Sequence, residues 1–196
     1  MARADRPHEI ISGMEAKIIR KAPVGLASWR SSLGQTLINP YLEDKMSQYE
    51  LSLTRLIDAS PDKLFRCWID PALMKQWFAP KPYTTPVAEV DLRPGGASRI
   101  VMQSPEGQEI PCPGQYLEIV PNRKIVATDA FTGDWQPGGK PFMTMILTFE
   151  PEGSKTRYTA VVRHWSEEDK KKHEEMGFHQ GWGQCADQLE ALAKTL

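Results

Sequence analysis

Between residues 83 and 165 turn-forming residues interrupt the chain so often that only short strands fit between them. Pro94-Gly95-Gly96, Pro105-Glu106-Gly107, Pro121-Asn122-Arg123 and Pro151-Glu152-Gly153-Ser154 each mark a tight reversal. The pieces between them read as strands: residues 87–93, 98–102, 114–120, 125–131, 143–150 and 156–165. A parallel crossover needs a dozen or more residues, so connections this short impose an antiparallel meander. One further strand pattern, Gln48-Tyr49-Glu50-Leu51-Ser52-Leu53-Thr54, comes first and brings the count to seven. A Gly- and Pro-rich loop over residues 132–141 carries Trp135.

Helical signals lie on either side of this meander. After the first strand, Ser60 precedes Pro61, which suits a first helical position because its missing N–H would have no partner there. Leu64, Phe65, Trp68 and Ile69 follow at helical spacing. Asp70-Pro71 ends that helix and opens a second short one, with Leu73, Met74, Trp77 and Phe78 before Pro80. At the far end, Ser166 with Glu167, Glu168 and Asp169 reads as a capped helix start with acids in its first turn. Phe178, Trp182, Cys185, Leu189, Leu192 and Leu196 then form a single apolar stripe. The expected fold is α+β: a curved antiparallel seven-stranded sheet around a long C-terminal helix, with two short helices after the first strand.

That order of elements has a geometric consequence. A helix over residues 167–194 would run about 40 Å at ~1.5 Å per residue. Seven strands at ~4.8 Å spacing make a sheet about 30 Å across. The helix can cover the concave face but, at about 10–12 Å wide, cannot fill it. Gly177, Gly181 and Gly183 interrupt the stripe, and each costs roughly 1 kcal/mol in a helix relative to alanine. Room for a cavity is one compensation. For Gly177 the other reading is the C-cap of a first helical segment.

Composition excludes several function classes. The chain has 196 residues, net charge −1, 40% hydrophobic and 9% aromatic residues, which suffices for a packed core. Lys and Arg are dispersed among acids, so no nucleic-acid-binding face is expected. No apolar run reaches the roughly 18 residues that span a bilayer, so no membrane insertion is expected. Cys67, Cys112 and Cys185 form neither a CxxC pair nor a disulfide framework. They read as free thiols, and the expected compartment is the cytoplasm. The four histidines form no metal-ligand spacing, and no phosphate loop or dinucleotide fingerprint is present. Neither a metal nor a cofactor is expected.

Residues 1–45 have a different texture, with Pro7, Gly13, Pro23, Gly25, Gly34 and Pro40 and no sustained period. They read as an irregular, poorly ordered extension: a misassigned start, a cloning remnant or a loose tail. A targeting segment is the rival reading, and Glu9 and Glu15 count against it. The folded unit is expected over residues 46–196, with Met46 as its natural start.

Taken together, these residues resemble a known family. The carriers are residues 55–60 before Pro61, Trp68-Ile69-Asp70-Pro71-Ala72-Leu73 with Trp77-Phe78-Ala79-Pro80, and Asp91-Leu92-Arg93-Pro94-Gly95-Gly96. Gly107, Gly114, Tyr116-Leu117-Glu118-Ile119, Pro121-Asn122-Arg123, Thr156-Arg157, Gly181-Trp182 and Leu189 complete the pattern. In this order the chain resembles the SRPBCC, or START-like, birch-pollen-allergen-like superfamily. Within it, the chain resembles the group named for the C-terminal domain of the activator of heat-shock protein 90 ATPase. The resemblance implies a helix-grip fold and a deep apolar cavity for small hydrophobic molecules. In the namesake, chaperone activation is implied to involve a substantial extra N-terminal domain. Forty-five irregular residues are too few for one, so a chaperone partner is not expected.

Three functional readings follow. The first is a carrier whose partner is a small hydrophobic ligand, bound by Trp77, Phe78, Met102, Tyr116, Phe131, Trp135, Met145, Phe178 and Trp182. Aromatic and methionine side chains offer large, adaptable apolar contact, and Trp135 on its loop is the candidate lid. The second is a polyketide-cyclase-like enzyme in which Glu118, Tyr116 or His164 supplies a proton. The third is an interaction module for heat-shock protein 90. His173, among charged neighbours, is expected on a solvated helix face. The oligomeric state stays open, a homodimer included.

Overall fold

The structure, a computed structural model, describes residues 49–196. The expectations for residues 1–45 and for Met46 as a start lie outside the described residues.

Seven strands form one antiparallel sheet: β1 (Glu50–Ile57), β2 (Thr84–Val90), β3 (Ala97–Gln103), β4 (Glu109–Val120), β5 (Lys124–Thr128), β6 (Met143–Glu152) and β7 (Lys155–His164). Their spatial order is β1-β7-β6-β5-β4-β3-β2. The meander runs from β2 to β7, and β1 then pairs with β7, Leu53 facing Ala160. The sheet is curved and open, with helices on its concave side, the α+β helix-grip architecture expected from the sequence.

Helices α1 (Pro61–Ile69) and α2 (Pro71–Trp77) follow β1. Asp70 separates them, and its Oδ1 accepts from the N–H of Ala72 at 2.9 Å and of Leu73 at 3.4 Å. One residue thus ends α1 and caps α2. Leu64, Phe65, Cys67 and Trp68 of α1 are buried, as are Leu73, Met74 and Trp77 of α2. All but Met74, which packs with Ala88 and Ile100, join Leu147, Phe149 and Tyr158 of the sheet in the main core.

The C-terminal helix departs from expectation. It is two helices, α3 (Glu167–Glu175) and α4 (Phe178–Ala193). Gly177 adopts φ +86°, a left-handed conformation that glycine takes without steric cost and that terminates a helix. Its N–H closes the last turn on Glu174 O at 2.9 Å. The sixteen residues of α4 span about 24 Å rather than 40 Å. Ser166 caps α3 as expected, its Oγ accepting from Asp169 N–H at 3.1 Å.

Strand β4 also begins earlier than expected and includes Pro111 and Pro113. Its partner β5 pairs only with residues 115–120. The prolines therefore sit where one edge of β4 has no neighbour and a missing N–H costs no ladder bond there.

Candidate functional site

The curvature of the sheet leaves a hollow of about 540 Å³ between its concave face, α1, α2 and the α3–α4 segment. Its walls are mostly apolar. Among the sequence candidates, Trp77, Phe78, Met102, Tyr116, Met145, Phe178 and Trp182 all line it. Gly181 lines it too, and a Cβ there would meet open space. Gly183 differs: a Cβ there would come 3.2 Å from the Arg55 guanidinium. The exposed lining residues are Pro111, Pro113 and Met176, which places the mouth between the overhang of β4 and the α3–α4 joint.

Phe131 and Trp135 are not among the wall residues. Their rings pack on each other edge to face, with centroids 5.8 Å apart. The N–H of Trp135 donates to Gln115 Oε1 at 2.8 Å, and that of Asp134 to Gly95 O at 2.7 Å. Gln115 precedes Tyr116 on the same strand, so its side chain leaves by the opposite face. Trp135 lies over Gly95, which removes it as a lid.

Glu118 is also outside the hollow. In a regular strand it would share a face with Tyr116, two residues away. The β4–β5 register shifts between these two residues, a bulge that turns Glu118 outward. There it pairs with Lys124, Nζ to Oε2 2.8 Å, and is exposed to solvent.

The polar groups inside the hollow fall at two ends. At the α1 end, Trp68 Nε1 is buried and has no hydrogen-bond partner among the described residues. Beside it is the hydroxyl of Tyr158. Burial pushes this phenol far above its ordinary range, the Cys185 thiol adds to the shift and the Trp68 indole opposes it. Tyr116 is also raised by burial, against the opposing effect of Ser98. The Cys185 thiol is pushed up to about 12 and Cys112 is raised, both through burial.

At the other end lies a histidine pair that the sequence reading missed. His173 is buried, contrary to the expectation of a solvated position, and is one of the residues that line the hollow. His173 Nδ1 is 2.9 Å from His164 Nε2, and His164 Nδ1 is 3.0 Å from Tyr49 O. Phe142 and Phe178 pack against the His173 ring, with centroids 5.3 Å and 5.0 Å away. Burial, reinforced by His164, lowers the His173 pKa to about 4. His164 itself is buried behind His173 rather than on the wall. One signal was available in the sequence. His173 is the one uncharged residue of Glu167–Glu175, so it is the natural choice for the face that packs on the sheet.

Fold and hollow together define the class of protein: a START-like helix-grip domain of the SRPBCC superfamily. Within that class, residues 58–194 match the family described as activator of Hsp90 ATPase homolog 1-like protein, and the chain belongs to that family. A protein of Nitrosomonas europaea is similar at 40% identity, TM-score 0.72, over 74% of this chain and 94% of its own. A protein of Chromobacterium violaceum is similar at 25% identity, TM-score 0.61, over 73% and 96%. A Mycobacterium smegmatis protein shares the fold at 23% identity, TM-score 0.64, over 75% and 91%. No curated protein matches the chain. Among the described residues no helix is long and apolar enough to cross a membrane.

Proposed function

We propose that the domain binds one small, largely apolar molecule in the hollow between the sheet and α4. The hollow itself supports this reading: about 540 Å³, walled by Trp, Phe, Met and Ile side chains and open beside Met176. Small-molecule sites typically occupy about 300–1,000 Å³ and combine apolar walls with a few polar groups. A void left unfilled forfeits dispersion contacts along its whole lining, and an occupant restores them. Three free thiols, two of them on the walls, suit a reducing compartment such as the cytoplasm.

The test compares the wild type with Gly181→Phe, whose ring would build into the void. A delipidated wild-type sample gains Tm with hydrophobic ligands, and native mass spectrometry of the purified protein detects a retained small molecule. Gly181→Phe folds, because removing a helix-interior glycine favours the helix, and loses the ligand-dependent gain. A broad ligand panel that leaves the wild-type Tm unmoved ends this reading. The cyclase alternative is weakened by the outward position of Glu118, its candidate carboxylate. Among the described residues the one wall carboxylate is Asp129, which accepts from the N–H groups of Phe142 and Met143.

A further inference from the structure

With both rings neutral, the histidine pair has one consistent sense. The Tyr49 carbonyl can only accept, so His164 Nδ1 carries a proton and donates to it at 3.0 Å. In neutral His164 the other nitrogen, Nε2, is then a lone pair. It accepts from His173 Nδ1–H at 2.9 Å. That leaves Nε2 of neutral His173 as a lone pair, and the only side-chain hydrogen bond of His173 among the described residues is the one at Nδ1. The relay runs from a backbone carbonyl, through two buried rings, to a free acceptor on a residue that lines the hollow.

Among the described residues the rest of the wall includes no Lys or Arg, and its single carboxylate is Asp129. An anionic ligand would be buried without a counter-ion, which is costly. It would also face a lone pair at His173 and a carboxylate at Asp129.

Resting on the ligand-binding reading above, we propose that His173 Nε2 is the specificity-determining acceptor of the hollow, selecting neutral apolar ligands that carry a hydroxyl or similar donor. The same apolar skeleton with a carboxylate, or with its hydroxyl methylated, is disfavoured. The low pKa of His173 agrees with this, since a ring that stays neutral keeps its lone pair available.

Two measurements on the full chain test the proposal. In free wild-type protein, nitrogen NMR of the imidazoles shows His173 protonated on Nδ1 and bare on Nε2, and adding naphthol shifts Nε2 alone. Binding isotherms with naphthol, methoxynaphthalene and naphthoic acid then rank naphthol first. It leads its methyl ether by about threefold to tenfold, the range of one net neutral hydrogen bond. Naphthoate binds weakest. In His173→Phe, which keeps an aromatic ring between Phe142 and Phe178, the naphthol-to-ether ratio falls to about one while the ether still binds. A proton on Nε2 of the free protein, a ratio near one in the wild type, or an unchanged ratio in His173→Phe overturns the proposal. If His173→Phe does not fold, the wild-type nitrogen spectra decide alone. Equal binding of all three probes removes the acceptor role and leaves ligand binding standing, whereas failure of all three to bind counts against both.

Discussion

The two ends of the hollow are built on different principles. Tyr158 and His164 share the concave face of β7 six residues apart, about 20 Å at ~3.3 Å per residue. Around Tyr158 the structure is packed shut. Trp68 meets Trp77 edge to face with centroids 4.7 Å apart, Trp68 meets Phe78 at 6.0 Å, and Trp77 Nε1 donates to Cys67 O at 3.1 Å. Around His164 a polar relay to Tyr49 O and His173 is set among the rings of Phe142 and Phe178, next in the chain to the Gly177 joint and the exposed Met176. Dispersion and aromatic geometry hold the first end, whereas the second adds a hydrogen-bonded relay and one backbone conformation to its aromatic contacts. Close apolar packing is concentrated where access is closed, and the proposed acceptor sits beside the mouth.

This contrast can be broken or sharpened by substitution. The largest effect is expected from Trp77→Ala, which should cost about 3–5 kcal/mol, as large core truncations do. Urea unfolding measures it, and a cost below about 1 kcal/mol would contradict a closed end that carries the stability. Next comes acid sensitivity at the other end. The His173 pKa falls from 6.5 in the unfolded chain to about 4 in the fold, so the unfolded state binds the extra proton between those values. Stability is full above about pH 6.5 and declines as pH drops towards 4, by about 3 kcal/mol for this one group. The titratable group facing it is His164, and His173→Phe should flatten this part of the stability profile. A smaller cost, about 1–2 kcal/mol, is expected for Gly177→Ala, because φ +86° is unfavourable for a residue with a Cβ. A Cβ there meets no neighbour, so thermal unfolding would report backbone strain alone. Smallest is Trp135→Ala, which should leave naphthol affinity unchanged within twofold. A clear loss of binding would return the loop to the mouth.

Much of this architecture was legible in the residues. Turn tripeptides between alternating runs specify seven strands, and Asp70-Pro71 specifies both the end of one helix and the start of the next. The fate of Glu118 was not legible, because a bulge depends on how β4 registers with β5 and leaves no necessary mark between Tyr116 and Glu118. Trp135 was misjudged for a related reason. Exposure and a flexible composition suggest a lid, but the bonds from Trp135 to Gln115 and from Asp134 to Gly95 hold the loop against the other face. His173 was hidden by its neighbours. A run of Lys and Glu reads as fully solvated, although one residue per turn must still point at whatever the helix rests on.

Helix α2 is finished by a side chain from more than a hundred positions later. Gln188 Nε2 donates to the carbonyls of Trp77 and Ala79, each at 2.8 Å, and its Oε1 accepts from Lys81 N–H at 3.2 Å. The terminal carbonyls of a helix need partners from outside it, and here they come from α4. Strand β1 likewise waits for β7. During synthesis, then, the early half of the domain remains an open clasp until the last helix has emerged. Truncation within α4 should unlatch the second helix as well as the last, and such non-local closure favours slow folding.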